Sequence, residues 1–100
     1  MKTHYFYRLE YDGYGVYCTH LCINLNIHHN DDNHPAPIKQ KGIKRYTGDD
    51  ERNGFWNLSQ MQKWFAPELI QLLLKNGAKI VRKKGILTAK SEYQCLFKPC

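Results

Sequence analysis

In the segment HYFYRLEYD, Tyr5, Tyr7 and Leu9 alternate with Phe6, Arg8 and Glu10, which is the period of two expected of a β-strand. Both faces carry apolar groups, so this strand is predicted to lie centrally in a sheet. DGYG at 12–15 marks a turn, since Asp-Gly accepts positive φ. VYCTHLCINLNI, from 16 to 27, is rich in β-branched and aromatic residues and is predicted to return as the second strand of a hairpin. From His28 to Gly54 the chain turns to Asn, Asp, His, Pro, Gly and Lys and sustains no period. An irregular stretch of that length inside a compact domain reads as a functional loop or flap, the natural place for partner contacts.

The clearest helical pattern is NLSQMQKWFAPELIQLLLKNG. Asn57 is suited to cap, Gln60 stands three residues on as in a capping box, and Leu58, Met61, Trp64 and Phe65 recur at helical spacing. Pro67 disfavours helical geometry at Ala66 and starts helices well, so one helix should end there and a second begin. Leu69, Ile70, Leu72, Leu73 and Leu74 fill that second helix, and Asn76 with Gly77 closes it. Trp56, Trp64 and Phe65 are expected to anchor the helices on the sheet. AKIVRKKG then reads as a strand and ILTAKSEYQCLF as a strand or a bent pair of strands. The order ββ, loop, αα, ββ predicts one α+β domain over residues 1–100, a mainly antiparallel sheet with two short helices on one face.

Composition adds a packed core to this picture. The chain is 42% hydrophobic, with 13% aromatic residues, well above the content of a disordered chain. MKTHYFYRLEYD has no apolar signal-peptide core, and nowhere do 18 apolar residues run together, so the expectation is a protein of the cytoplasm whose four cysteines are thiols or metal ligands.

Charge changes the picture more, because the net +6 is not evenly distributed. Residues 1–60 hold seven basic and seven acidic side chains, whereas residues 61–100 hold eight basic and two acidic. Lys79, Arg82, Lys83, Lys84 and Lys90 are the candidate partner-binding residues. Such a patch attracts nucleic-acid phosphates or an acidic protein face; it is also what a solvated strand and helix would display.

Two clusters could hold a metal. Cys18 and Cys22 with His28 or His34 could supply zinc ligands. Four residues apart on a predicted strand, however, the two cysteines share a face at too wide a separation for a compact knuckle, and they read as small buried hydrophobes. In IHHNDDNH, Asp31 and Asp32 could join the histidines around a divalent ion, and a polar loop facing water accounts for the same residues. No cofactor is expected from these residues.

YRLE at 7–10, GYGVY at 13–17, HPAP at 34–37, GFWNLSQMQKWF at 54–65 and EYQCLF at 92–97 resemble a family of small phage and prophage proteins. Its pattern runs YRxE, GxGxY, HPxP, GFxSLxQLxxWF and QxxF, from which Asn57 and Met61 depart. The resemblance implies a host-takeover or anti-defence factor in the bacterial cytoplasm. Such a factor would act by binding a host protein or ribonucleoprotein defence complex, as an anti-CRISPR inhibitor does.

Parts of the chain also resemble a minimal ADP-ribosyltransferase of the class built on an Arg, Ser, Glu signature, which would use NAD. That likeness assigns Arg8 to the dinucleotide and Glu92 and Gln94 to the terminal Glu-x-Glu pair. Gln94 cannot supply the charge that stabilises an oxocarbenium-like transition state, and LTA at 87–89 is a poor substitute for the Ser-Thr-Ser strand. On the residues alone, Glu92 and Gln94 form the outward face of a strand that buries Tyr93, Cys95 and Phe97, and Arg8 pairs with Glu10 or Glu92.

Overall fold

A computed structural model describes residues 2–16, 19–25 and 35–100. Strand β1 (His4–Tyr11) turns through Asp12 and Gly13, both at positive φ, into the two-residue β2 (Tyr14–Gly15), so the first hairpin forms as its Asp-Gly signal predicts. The expected long second strand does not form. Thr19 accepts from the Leu21 N–H, and Leu21–Asn24 makes the short helix α1. Leu21 and Leu25 stand four apart, and one helical turn puts both against the core. The helical spacing of these two residues outweighs the β-branched composition around them.

Within the stretch expected to be irregular, the described part is ordered by specific contacts. Pro37–Lys39 is a single 3₁₀ turn, Ile43 is buried, and Arg52–Gly54 is strand β3. Gln40, almost wholly buried, donates to the Pro35 carbonyl at 2.7 Å and accepts from the Ser91 hydroxyl at 2.5 Å. Residues 35–54 are therefore fastened to the sheet and form no free flap.

Helices α2 (Leu58–Trp64) and α3 (Pro67–Lys75) lie where the periodicity places them. Asn57 Oδ1 accepts the Gln60 N–H at 2.8 Å, and Gln60 Oε1 reaches back to the Trp56 N–H at 2.7 Å, one residue beyond the usual capping-box partner. Gly77, at φ 101°, ends α3.

Strand β4 (Lys79–Lys90) is one long element that runs through Gly85. A Cβ at Gly85 would sit 2.6 Å from the Lys98 carbonyl oxygen and from the Phe97 ring, so only glycine lets β5 (Cys95–Pro99) approach here. Ser91–Gln94 is a turn, not the start of a strand: the Ser91 N–H donates to the Gln94 carbonyl at 2.9 Å, and the Ser91 hydroxyl accepts from the N–H groups of Tyr93 and Gln94.

The five strands form an antiparallel sheet in the order β2-β1-β4-β5-β3. It curls until its ends meet, because Phe55, just beyond β3, exchanges both backbone hydrogen bonds with Tyr7 of β1 at 2.8 and 2.9 Å. The concave side is filled by Phe6 and Phe97, stacked at 4.4 Å, with Cys95 beside them. On the other side, Tyr7, Leu9 and Tyr11 meet Phe55, Met61, Phe65, Ile70 and Leu73 under the helices. Each fully buried aromatic or leucine contributes roughly 1.5 to 3 kcal/mol of apolar burial. The α+β class, with helices on one face of an antiparallel sheet, is as predicted. Among the described residues no helix is long and apolar enough to cross a membrane.

Candidate functional site

Antiparallel pairing sets residues 79–85 of β4 directly opposite residues 4–10 of β1, each pair of side chains on the same face of the sheet. Lys79 stands opposite Glu10, Arg82 opposite Tyr7, Lys83 opposite Phe6 and Lys84 opposite Tyr5. The basic triplet of one strand thus lies against the YFY triplet of its neighbour. Alternation also divides the cations: Lys79 and Lys83 project on the face that carries Phe6, Arg82 and Lys84 on the face that carries Tyr5 and the helices. The sequence places these charges in one region. The structure distributes them over two faces of one strand.

All five candidate cations, Lys79, Arg82, Lys83, Lys84 and Lys90, are exposed, and among the described residues none of them makes an ion pair. The Arg82 guanidinium lies 4.2 Å above the ring of Tyr5, which stays 44% exposed. A cation over an aromatic face at such a site contributes about 0.5 to 1 kcal/mol. Lys98, opposite Ile86, extends the Arg82–Lys84 row onto β5, with the exposed Asp50 carboxylate 3.1 Å from its ammonium. Lys90, beyond the irregularity between Leu87 and Ala89, caps a separate aromatic group: its ammonium is 4.1 Å from the Trp56 ring, on which His4 stacks at 3.7 Å.

Of the residues of the transferase-like reading, Arg8 and Gln94 meet on Asn53 and Glu92 stands apart. Arg8 pairs with Glu10 at 2.7 Å and donates to the Asn53 carbonyl at 2.9 Å. Glu92 is exposed in the Ser91–Gln94 turn. Gln94 is buried and accepts from the Asn53 amide at 3.3 Å. Glu92 and Gln94 therefore share neither a strand nor an environment, and the expectation of a common outward face is corrected: one faces water and the other is packed inside. Of the plain structural expectations, the pairing of Arg8 with Glu10 and the burial of Cys95 and Phe97 are realised, while Tyr93 is only half-buried.

Cys22 lies in α1, not on a strand, which removes the shared-face geometry proposed for it; Cys18, His28 and His34 lie outside the described residues. Among the described residues no three His, Cys, Asp or Glu side chains gather as a metal site would need. Cys95 and Cys100 are free thiols, and burial pushes Cys95 up to about 11.

Three features carry no local signal in the sequence. Tyr5 and Lys98 join the basic row only through strand register. Glu51, buried, accepts from Arg45 with both carboxylate oxygens, from the Gly48 N–H at 2.9 Å and from the Thr88 hydroxyl, which fastens the loop before β3 onto β4. Chiefly through the Arg45 hydrogen bonds, its carboxyl is held down at about 2.

No curated protein and no solved structure matches the chain. A family model described as Bacteriophage T4 Y00F protein matches residues 1–99, and the chain therefore belongs to that family of phage proteins.

Proposed function

We propose that this small phage protein acts by binding, as a host-takeover or anti-defence factor in the bacterial cytoplasm. Its target is a host complex that handles nucleic acid, of which a CRISPR effector is the leading example. The observation that carries this reading is the row of exposed cations on β4, unpaired among the described residues and set against an exposed tyrosine. Tyrosine and arginine are the residues that dominate interface energetics, and a positive surface steers association with an acidic partner. Arg82, Lys83 and Lys84, with Lys79 and Lys90, dock on an acidic groove of that complex or on the nucleic acid it holds. Membership of a phage family supports the biological setting. The commitment of Arg8 to Glu10, the exposure of Glu92 and the burial of Gln94 favour binding over an NAD-dependent transfer.

The test is capture of the tagged chain from bacterial lysate, followed by titration of the chain into the captured complex during its reaction on nucleic acid. The expected result is a stoichiometric host complex whose activity falls as the chain is added, and falls much less with Arg82→Glu/Lys84→Glu. Recovery of no such complex, or full activity at saturating chain, would overturn the proposal.

A further inference from the structure

Building on that reading, we infer that the partner chemistry of the Tyr5 face is a single strand of nucleic acid. Arg82, Lys84 and Lys98 hold its phosphates, and the Tyr5–Arg82 stack receives a base. Arg82 and Lys84 are two residues apart on one strand, so their stems are separated by roughly 6 to 7 Å. That pitch is comparable with the repeat between successive phosphates of an extended strand. Lys98 continues the row sideways, because its partner Ile86 follows Lys84 on the same face of β4. The other flank of Lys84 is Cys100, whose N–H donates to the Lys84 carbonyl at 3.0 Å, and at the Lys98 end the exposed Asp50 carboxylate pairs with the ammonium and must yield it to a phosphate.

The row is open beyond the part of the sheet that the helices cover. Leu9 is buried beneath them, while Ile80, its register partner, remains 40% exposed, and so does Tyr5 at 44%. A strand-borne row of cations beside an aromatic platform is the arrangement by which proteins bind single strands without reading sequence. A guanidinium placed over a ring offers its N–H donors to phosphate, and guanidinium and ring alike can stack on a base. Paired bases of a duplex cannot reach such a platform, which is why the single strand is the better fit. The opposite face differs in kind: Lys79 stands against Glu10, and Lys83 against the wholly buried Phe6, with no exposed ring between them.

The experiment is fluorescence anisotropy of the full chain with labelled oligothymidylate and oligouridylate of about 12 nucleotides, and with an abasic deoxyribose phosphate strand of equal length. Binding is expected at about 50 mM salt and should weaken at least tenfold by about 200 mM. Arg82→Ala/Lys84→Ala should weaken it by tenfold or more. Tyr5→Ala should cost about tenfold with the base-bearing strands and little with the abasic one. Lys39→Ala/Lys41→Ala, which removes equal charge from exposed positions outside β4, should cost less than threefold. Equal losses from the two double variants would mean diffuse charge and would overturn the inference, as would no binding at low salt or tighter binding to duplex. If the oligonucleotides fail while a host complex is still captured from nuclease-treated lysate, the inference falls and the proposed binding function stands. Circular dichroism of each variant confirms that the fold is retained.

Discussion

Replacing Glu51 by Gln removes the charge that fastens the loop before β3 to β4 while keeping the size of the side chain. The carboxylate is held at about 2 instead of 4.5, first by Arg45 and then, against the cost of burial, by Thr88 and the Gly48 N–H. At about 1.4 kcal/mol per pH unit that difference corresponds to on the order of 3 kcal/mol in favour of the folded state. Arg45 is 44% exposed on its side of the pair, and solvent screening there brings the figure to about 2 kcal/mol. For a domain of this size the loss lowers the melting temperature by on the order of 10 °C. The folded-state pKa lies below the unfolded one, so the contribution is complete above about pH 4.5 and is lost as pH falls toward 2. Thermal unfolding of the parent and of Glu51→Gln should therefore be followed by circular dichroism at pH 7 and again at pH 3. The expected gap is about 10 °C at pH 7 and roughly half of that or less at pH 3. A gap of equal size at both pH values, or none at pH 7, would refute the reasoning, since a charge-dependent fastening must weaken as its carboxylate protonates.

Other substitutions probe separate parts of the fold. Asn57→Ala removes the acceptor for the Gln60 N–H and should cost about 1 kcal/mol in denaturant unfolding. Gly85→Ala places a methyl group against the Lys98 carbonyl and the Phe97 ring, and should destabilise by roughly 1 to 3 kcal/mol, with weakened amide protection along β5 as the direct readout. Glu92→Ala should leave the melting temperature almost unchanged, because the side chain is exposed, whereas Gln94→Ala should lower it by removing a buried acceptor from Asn53 and leaving a cavity beside the sheet. Equal effects of these last two changes would contradict the separation of environments described for the Ser91–Gln94 turn.

What could be read from the sequence depended on whether its determinants are local. β1, the Asp-Gly turn, α2 and α3 follow from periodicity and from caps within a few residues, and all stand where Tyr5 to Leu9, Asn57, Pro67 and Gly77 place them. α1 was not legible, because Val16 and its neighbours carry strand composition and only the contacts of Leu21 and Leu25 with the core decide for helix. β3 was hidden for a related reason: Arg52-Asn53-Gly54 has no alternation of its own, and its strand geometry comes from pairing with Cys95–Phe97. The reading of Glu92 and Gln94 as part of the terminal strand failed because that strand begins only at Cys95: the Ser91 hydroxyl closes a turn together with Gln40 from a distant part of the chain. The same division governs the candidate site. Its cations were visible as a charge surplus after residue 60, but the partition of Arg82 and Lys84 from Lys79 and Lys83, and the recruitment of Tyr5 and Lys98, are matters of register between strands far apart in sequence.

The most direct measurement compares the parent chain with two variants of equal charge change in binding to the captured host complex, at one salt concentration and by one method. Arg82→Glu/Lys84→Glu reverses the Tyr5 face, and Lys79→Glu/Lys83→Glu reverses the other. The expected result is that Arg82→Glu/Lys84→Glu abolishes binding while both variants keep the parent's circular dichroism spectrum. Undiminished binding by both folded variants would contradict the claim that the cations of β4 engage the partner.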